Sequence, residues 1–114
     1  MTLIELAGRV ERAEADSGGL MILAYYACFG MPNTEAEHRP FDRFRAMLNA
    51  GAYESAALTL VPDGLAWSGE FSDYNYANCW PDTSDYDGRP LGEGRGATPA
   101  LAIVAAALKA RAAE

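Results

Sequence analysis

Apolar positions open the chain at helical spacing: Leu3, Leu6, Ala7, Val10 and Ala13 fall on one stripe, while Glu5, Arg9, Glu11 and Arg12 mostly fall elsewhere. Thr2 with Glu5 three residues later is the pattern of a capping box, so a helix is expected to begin there. Asp16-Ser17-Gly18-Gly19 ends it. The run from Leu20 to Phe29 carries no charge and predicts a second helix, ended by Gly30 and Pro32. A helix apolar all round is buried on most sides, by its own fold or by a partner subunit. Two short helices joined by a Gly-rich turn form an αα-hairpin.

Residues 31–40, with Pro32, Asn33 and Pro40, read as a loop. Phe41, Phe44, Met47 and Leu48 then repeat at helical spacing, and Asn49 and Gly51 close a short helix. Between Tyr53 and Val61 the alanines favour helix, whereas Thr59, Leu60 and Val61 suit a strand; a short helix capped near Ser55 is the expectation. Pro62-Asp63-Gly64 turns the chain. Leu65, Trp67, Gly69 and Phe71 then alternate with Ala66, Ser68 and Glu70, the period of a strand. Tyr74, Tyr76 and Trp80 share one face of a second strand that runs through Ala77 and Cys79 to Pro81. Residues 81–97 are rich in Gly, Pro and Asp and read as a long loop, or a loop with a short edge strand. Thr98 is a good N-cap and Pro99 suits the first position of a last helix, with Leu101, Val104, Ala105 and Leu108 as its apolar stripe.

The pattern predicts one α+β domain over residues 1–114. Its small antiparallel sheet of two or three strands is layered between helices, with an N-terminal αα-hairpin and a C-terminal helix. A length of 114 residues, half of them hydrophobic, suffices for one core without disulfides. Cys28 and Cys79 are too few for a disulfide framework and read as small buried hydrophobes. No basic-then-apolar leader stands at the start, and no apolar run approaches about 20 residues, so a cytoplasmic location away from membranes is expected.

Charge narrows the partners. A net charge of −7 argues against broad, direct binding to nucleic-acid backbones. Asp63, Glu70, Asp73, Asp82, Asp85, Asp87 and Glu93 face a single base, Arg89, over the same stretch. Such a stretch is either a solvated surface or an acidic patch that meets a basic partner.

No catalytic constellation assembles. His38 is the one histidine and lies in a polar segment beside Glu37 and Arg39. The two cysteines make no CxxC, so no zinc site is expected. Asp82, Asp85 and Asp87 lack the Gly and distal Glu of a calcium loop. An enzyme is therefore not expected, nor is a cofactor or a bound metal. Two features remain. Trp67, Phe71, Tyr74, Tyr76, Trp80 and Tyr86 supply half of the chain's aromatic residues within a short stretch, and Tyr and Trp tips suit a half-wet pocket. Gly92-Glu93-Gly94-Arg95-Gly96-Ala97-Thr98-Pro99 combines close-approach glycines, a guanidinium and a helix N-terminus, the parts of a phosphate cradle. The candidate ligand-binding set is thus Trp67, Tyr74, Tyr76, Trp80 and Tyr86 for stacking, with Gly94, Arg95, Gly96 and Thr98 for phosphate.

Three blocks occur in order: Thr2-Leu3-Ile4-Glu5-Leu6-Ala7-Gly8-Arg9-Val10-Glu11, then Ala56-Ala57-Leu58-Thr59-Leu60-Val61-Pro62-Asp63-Gly64, then Gly96-Ala97-Thr98-Pro99-Ala100-Leu101-Ala102. With a tryptophan soon after the second block, the pattern resembles the phage ABA sandwich family of small phage and prophage proteins. Residues 31–52 and 81–91 stand outside the resemblance. It implies a sheet layered with helices, a phage origin and a place in the host bacterial cytoplasm, and it brings no catalytic residue set. The function this suggests is an anti-defence sponge: a homo-oligomer that binds and sequesters a small nucleotide immune signal without cleaving it. The rival is an acidic inhibitor that mimics nucleic acid and binds a host defence protein, such as a nuclease or CRISPR effector.

Overall fold

The computed structural model describes residues 1–82 and 88–114. Among them the order is α1 (Leu3–Arg12), α2 (Gly18–Phe29), α3 (Glu35–Asn49), α4 (Tyr53–Leu58), β1 (Leu65–Phe71), β2 (Asn75–Pro81), β3 (Gly92–Gly96) and α5 (Pro99–Ala113). The α+β class, the N-terminal helix pair, the three-stranded antiparallel sheet and the C-terminal helix packed on it are all present.

Local signals explain most helix starts. Thr2 Oγ1 accepts from the Glu5 amide at 3.1 Å and Glu5 Oε1 accepts from the Thr2 amide at 3.2 Å, a complete capping box. Ser17 caps α2, so that helix begins at Gly18, two residues before the uncharged run.

The segment read as loop 31–40 is in part helix. Thr34 and Glu37 form a second capping box, with both bonds at 3.1 Å, and α3 runs straight through Pro40. A proline within a helix removes one backbone bond. The cap upstream and the buried Phe41, Phe44 and Leu48 downstream hold the helix across that gap. His38 therefore lies on an exposed helical turn. α4 is the short helix expected, but its cap position is Ala52 with no side-chain bond, and Ser55 lies inside it, exposed.

α5 is the centre of the molecule. Its Ala100–Leu108 stretch and Ala110 are all buried, so no single stripe describes it. Alanine dominates this helix because its neighbours approach closely on every side, and alanine is also the best helix former. One side of α5 lies on β3 and β2; α1, α4 and α2 pack around the rest of it. The layer with neighbours on both sides is thus α5. Arg111 pins its far end: Nε donates to the Leu60 carbonyl at 3.0 Å, and the guanidinium lies 4.8 Å from the Phe29 ring centroid.

The sheet has the order β1-β2-β3. Gly64, at φ +81°, makes the turn into β1, a conformation that favours glycine. The register pairs Trp67 with Cys79, Gly69 with Ala77, Ala77 with Gly94 and Cys79 with Gly92. Directly opposed residues share a face, so these residues look toward α5. The glycines of β3 let strand and helix backbones touch: a β-carbon on Gly94 would fall 2.5 Å from the Ala102 carbonyl oxygen. The Gly-rich approach to the last helix is therefore a strand built to lie against it, not a free turn.

Candidate functional site

The face of the sheet away from α5 carries the polar side chains. Pairing of Ala66 with Trp80, Ser68 with Asn78, Glu70 with Tyr76, Asn78 with Glu93 and Tyr76 with Arg95 puts them all on that side. A chain of hydrogen bonds crosses the three strands. Ser68 Oγ donates to Asn78 Oδ1 at 3.0 Å, Asn78 Nδ2 donates to the Tyr76 hydroxyl at 3.2 Å, and that hydroxyl donates to Glu93 Oε1 at 2.9 Å. The Asn78 bond lowers the Tyr76 phenol pKa. Lost solvent and the neighbouring Glu93, through its hydrogen bond and charge, outweigh that, and the net direction is upward. The phenol stays protonated and keeps its role as donor.

Arg95 completes the face. Its guanidinium lies 5.9 Å from the Tyr74 ring centroid and 6.0 Å from that of Tyr76, within cation–π range of both. Its side chain is exposed, while its backbone amide donates to Glu11 Oε2 at 3.0 Å. The strand backbone is thereby anchored to α1, while the cation itself lies against the two rings.

The candidate residues divide between places. Tyr74, Tyr76 and Arg95 come together on the open face, and Trp80 lies on the same face four residues farther along β2. Trp67 lies on the opposite face, stacked on Phe71 with ring centroids 6.5 Å apart. Gly94 and Gly96 direct their α-carbons at α5. Thr98 caps α5, accepting from the Leu101 amide at 3.2 Å, and its hydroxyl donates to Asp16 Oδ1 at 2.5 Å. The mouth of α5 thus already holds a carboxylate, and the second carboxylate nearby, Glu11, takes the Arg95 amide. Within the fold, the cradle's backbone parts serve strand–helix packing and internal acids. Tyr86 lies outside the described residues, as do Asp85 and Asp87 of the acidic loop; Asp82 is exposed and donates its amide to the Gly64 carbonyl at 3.1 Å.

Ser68, Asn78 and Glu93 were missed from sequence. Their signal lay in the strand period of residues 92–96, which glycine masks: only a register puts Glu93 beside Tyr76. Among the described residues, no group of three His, Cys, Asp or Glu could hold a metal ion, and no helix is long and apolar enough to cross a membrane. Both thiols are pushed up to about 11 by burial, so they are neutral near pH 7.

A separate apolar groove of about 340 Å³ opens between α2 and α3, lined by Tyr25, Phe29, Pro32, Pro40, Phe44 and Met47. Its Glu37 carboxylate is committed to the α3 cap, which leaves Arg43 as its charged rim. An anionic, planar ligand is matched better by the sheet face, where the cation and the rings adjoin.

Compared with protein-family models, with curated proteins and with solved structures, the chain matches none.

Proposed function

We propose that the protein is a non-catalytic binding module whose open sheet face holds a small, planar, anionic ligand of nucleotide type. The observation that carries this reading is the Arg95 guanidinium held about 6 Å from both the Tyr74 and Tyr76 rings; the half-buried Trp80 shares that face farther along β2, opposite Ala66. Aromatic faces stack on a base, and an arginine is the side chain best suited to phosphate. The Ser68–Asn78–Tyr76–Glu93 chain presets the polar groups, so little side-chain order is lost on binding. Phosphate contact rests on the Arg95 side chain, since the neighbouring main chain is already bonded. The resemblance to phage proteins suggests that the ligand is an immune signal and the module an anti-defence sponge acting as a homo-oligomer.

The test is calorimetric titration with cyclic dinucleotides and cyclic ADP-ribose-type signals, followed by chromatography of the ligand released on heating. Binding that Arg95→Ala weakens by roughly ten- to a hundredfold, with intact ligand recovered, supports the reading. Absence of binding by any nucleotide removes it, and recovery of a cleaved product replaces it with an enzyme. If function instead follows Asp82, Asp85 and Asp87, and binding to a host protein weakens steeply with salt, the nucleic-acid mimic takes its place.

A further inference from the structure

The two edges of the sheet are not alike. At β3, the outward amide of Arg95 is taken by Glu11, which is itself paired with Lys109 at 2.9 Å, so α1 closes that edge. At β1 no described element lies alongside: the sheet ends there.

The direction of the β1 backbone groups follows from two bonds. The Asp82 amide donates to the Gly64 carbonyl, and the Leu91 amide donates to the Cys79 carbonyl. Gly64 therefore points at β2, while Cys79, opposite Trp67, points at β3. Bonded and non-bonded pairs alternate along an antiparallel ladder. Ala66, Ser68 and Glu70 thus bond to β2, and Trp67, Gly69 and Phe71 direct their N–H and C=O groups out of the free edge.

Those same residues carry an uncovered apolar ledge. α5 lies over β3 and β2, and the Trp67–Phe71 stack overhangs beyond it, 39% and 38% exposed. The Phe71 ring also occupies the space above Gly69. A flat edge with exposed aromatics is a template for strand addition.

Charge selects the occupant. No Lys, Arg or His stands between Arg45 and Arg89, whereas Asp63, Glu70 and Asp73 lie at or beside β1. A second copy paired antiparallel about Ser68 would set Asp63 of each chain against Asp73 of the other. We propose that the free edge of β1 docks an extended basic segment of a partner protein. That segment adds as a fourth strand, its alternate apolar side chains on the Trp67–Phe71 ledge and its Lys or Arg side chains toward Glu70 and Asp73. The edge and the Trp67–Phe71 ledge lie off the ligand face, which only Glu70 borders, opposite Tyr76; Phe71→Ala and Arg95→Ala therefore test the two sites separately.

The probe is a capped heptapeptide of alternating arginine and valine, fluorescently labelled and titrated by anisotropy into the full chain. Saturable binding is expected, weakened about tenfold by Phe71→Ala and about tenfold when serine replaces valine in the peptide. Methylating the peptide nitrogens of every second residue should abolish binding in one phase and spare it in the other, because only one edge of the added strand meets β1. The double variant Glu70→Lys, Asp73→Lys should transfer preference to a glutamate–valine peptide; both sites are exposed, so folding is not at stake. Equal binding of the two methylated phases, or equal binding of the serine peptide, would show charge attraction alone and overturn the proposal. So would a dimer that survives Leu23→Lys and is dissolved by Phe71→Lys, since a second copy would then cover β1.

Discussion

Gly94 and Ala106 are in backbone contact: the β-carbon that any other residue would carry at position 94 falls onto the Ala106 amide. Gly92 meets Ala106 and Ala110 in the same way, and Gly96 meets Leu101 and Ala102. The three glycines of β3 therefore lie along the small-residue side of α5, and the sheet can sit no farther away without opening the core.

The first prediction follows from that contact. Gly94→Ala forces the strand off the helix, and because the opposing atoms are backbone, no side chain can swing aside. A loss of about 3 kcal/mol is expected, the upper end for overpacking. Gly18→Ala is the control, since nothing lies within 4 Å of its added methyl; it should leave stability unchanged or raise it by about 0.5 kcal/mol. Urea unfolding of both variants measures this, and equal midpoints would refute the packing account.

A second prediction concerns the mouth of α5. Thr98 both caps the helix and donates to Asp16, so two bonds depend on one hydroxyl. Thr98→Val should cost about 1–2 kcal/mol. In a double-mutant cycle with Asp16→Ala, a coupling of about 1 kcal/mol is expected. Strict additivity would mean that Asp16 does not hold the helix start.

Two helix starts were legible because capping is local: Thr2 and Thr98 each act within a few residues, whereas Ser17, read only as part of the stop of α1, also caps α2. The Thr34–Glu37 box is equally local, but Pro40 obscured it. The sheet was legible as alternation in β1 and β2. What alternation cannot say is which face a helix will cover. Tyr76 and Trp80 look like core aromatics and face outward, while Ala77 and Cys79 are the buried pair. The reason lies in α5, whose alanines and the β3 glycines bring the layers too close for large side chains. The large residues were displaced to the open face and to the β1 overhang. The candidate site was legible in its residue types; its grouping depended on register, which separates Trp67 from Tyr76 by a full sheet thickness.

Alkaline pH should weaken the fold. Burial raises both thiols from about 9 to about 11, that of Cys28 against the charge of Arg111, and the Tyr25 and Tyr76 phenols shift in the same direction. A group whose folded pKa is raised contributes its full stabilisation below its unfolded pKa and loses it as pH rises through the folded value. The melting temperature should thus be level from pH 7 to about 8.5 and fall from about 9 toward 11. Cys79→Ala should flatten part of that fall. A level profile to pH 10.5 would contradict it, as would rapid native-state reaction of either thiol with an aromatic disulfide at pH 8.

The uncharged α2 was expected to be covered on most sides, yet Leu23 and Phe29 are 42% and 48% exposed, and Met31 beyond it is 66% exposed. If a second copy covers this surface, as the sponge reading proposes, light scattering at micromolar concentration will give a mass above 12.2 kDa, and Leu23→Lys will return it to that of one chain. A monomer in the wild type would remove self-association from the proposal.

The sharpest separation is between Arg95 and Glu11, which meet through the Arg95 amide and not its side chain. Arg95→Ala keeps that amide and its bond. It removes an exposed guanidinium and its contacts with Tyr74 and Tyr76, so a stability loss of about 0.5 kcal/mol is expected. Glu11→Ala strips the acceptor from the β3 edge and the partner from Lys109, and should cost about 1–2 kcal/mol. Ligand binding should respond in the reverse order. Arg95→Ala removes the guanidinium that lies against Tyr74 and Tyr76 and should lower nucleotide affinity by ten- to a hundredfold, or roughly 1.5–3 kcal/mol. Glu11→Ala, assayed well below its melting temperature, should leave affinity within about threefold, because Glu11 meets the Arg95 amide and Lys109 and not the Arg95 guanidinium. Tyr76→Phe should fall between them in binding, since it keeps the ring and loses the hydroxyl that orders Glu93 and Asn78. Paired thermal melts and titrations of the three variants decide it. If affinity tracks stability across the series, the residues act through the fold and Arg95 is no ligand contact; if the two orders cross, the cation and its rings are the site.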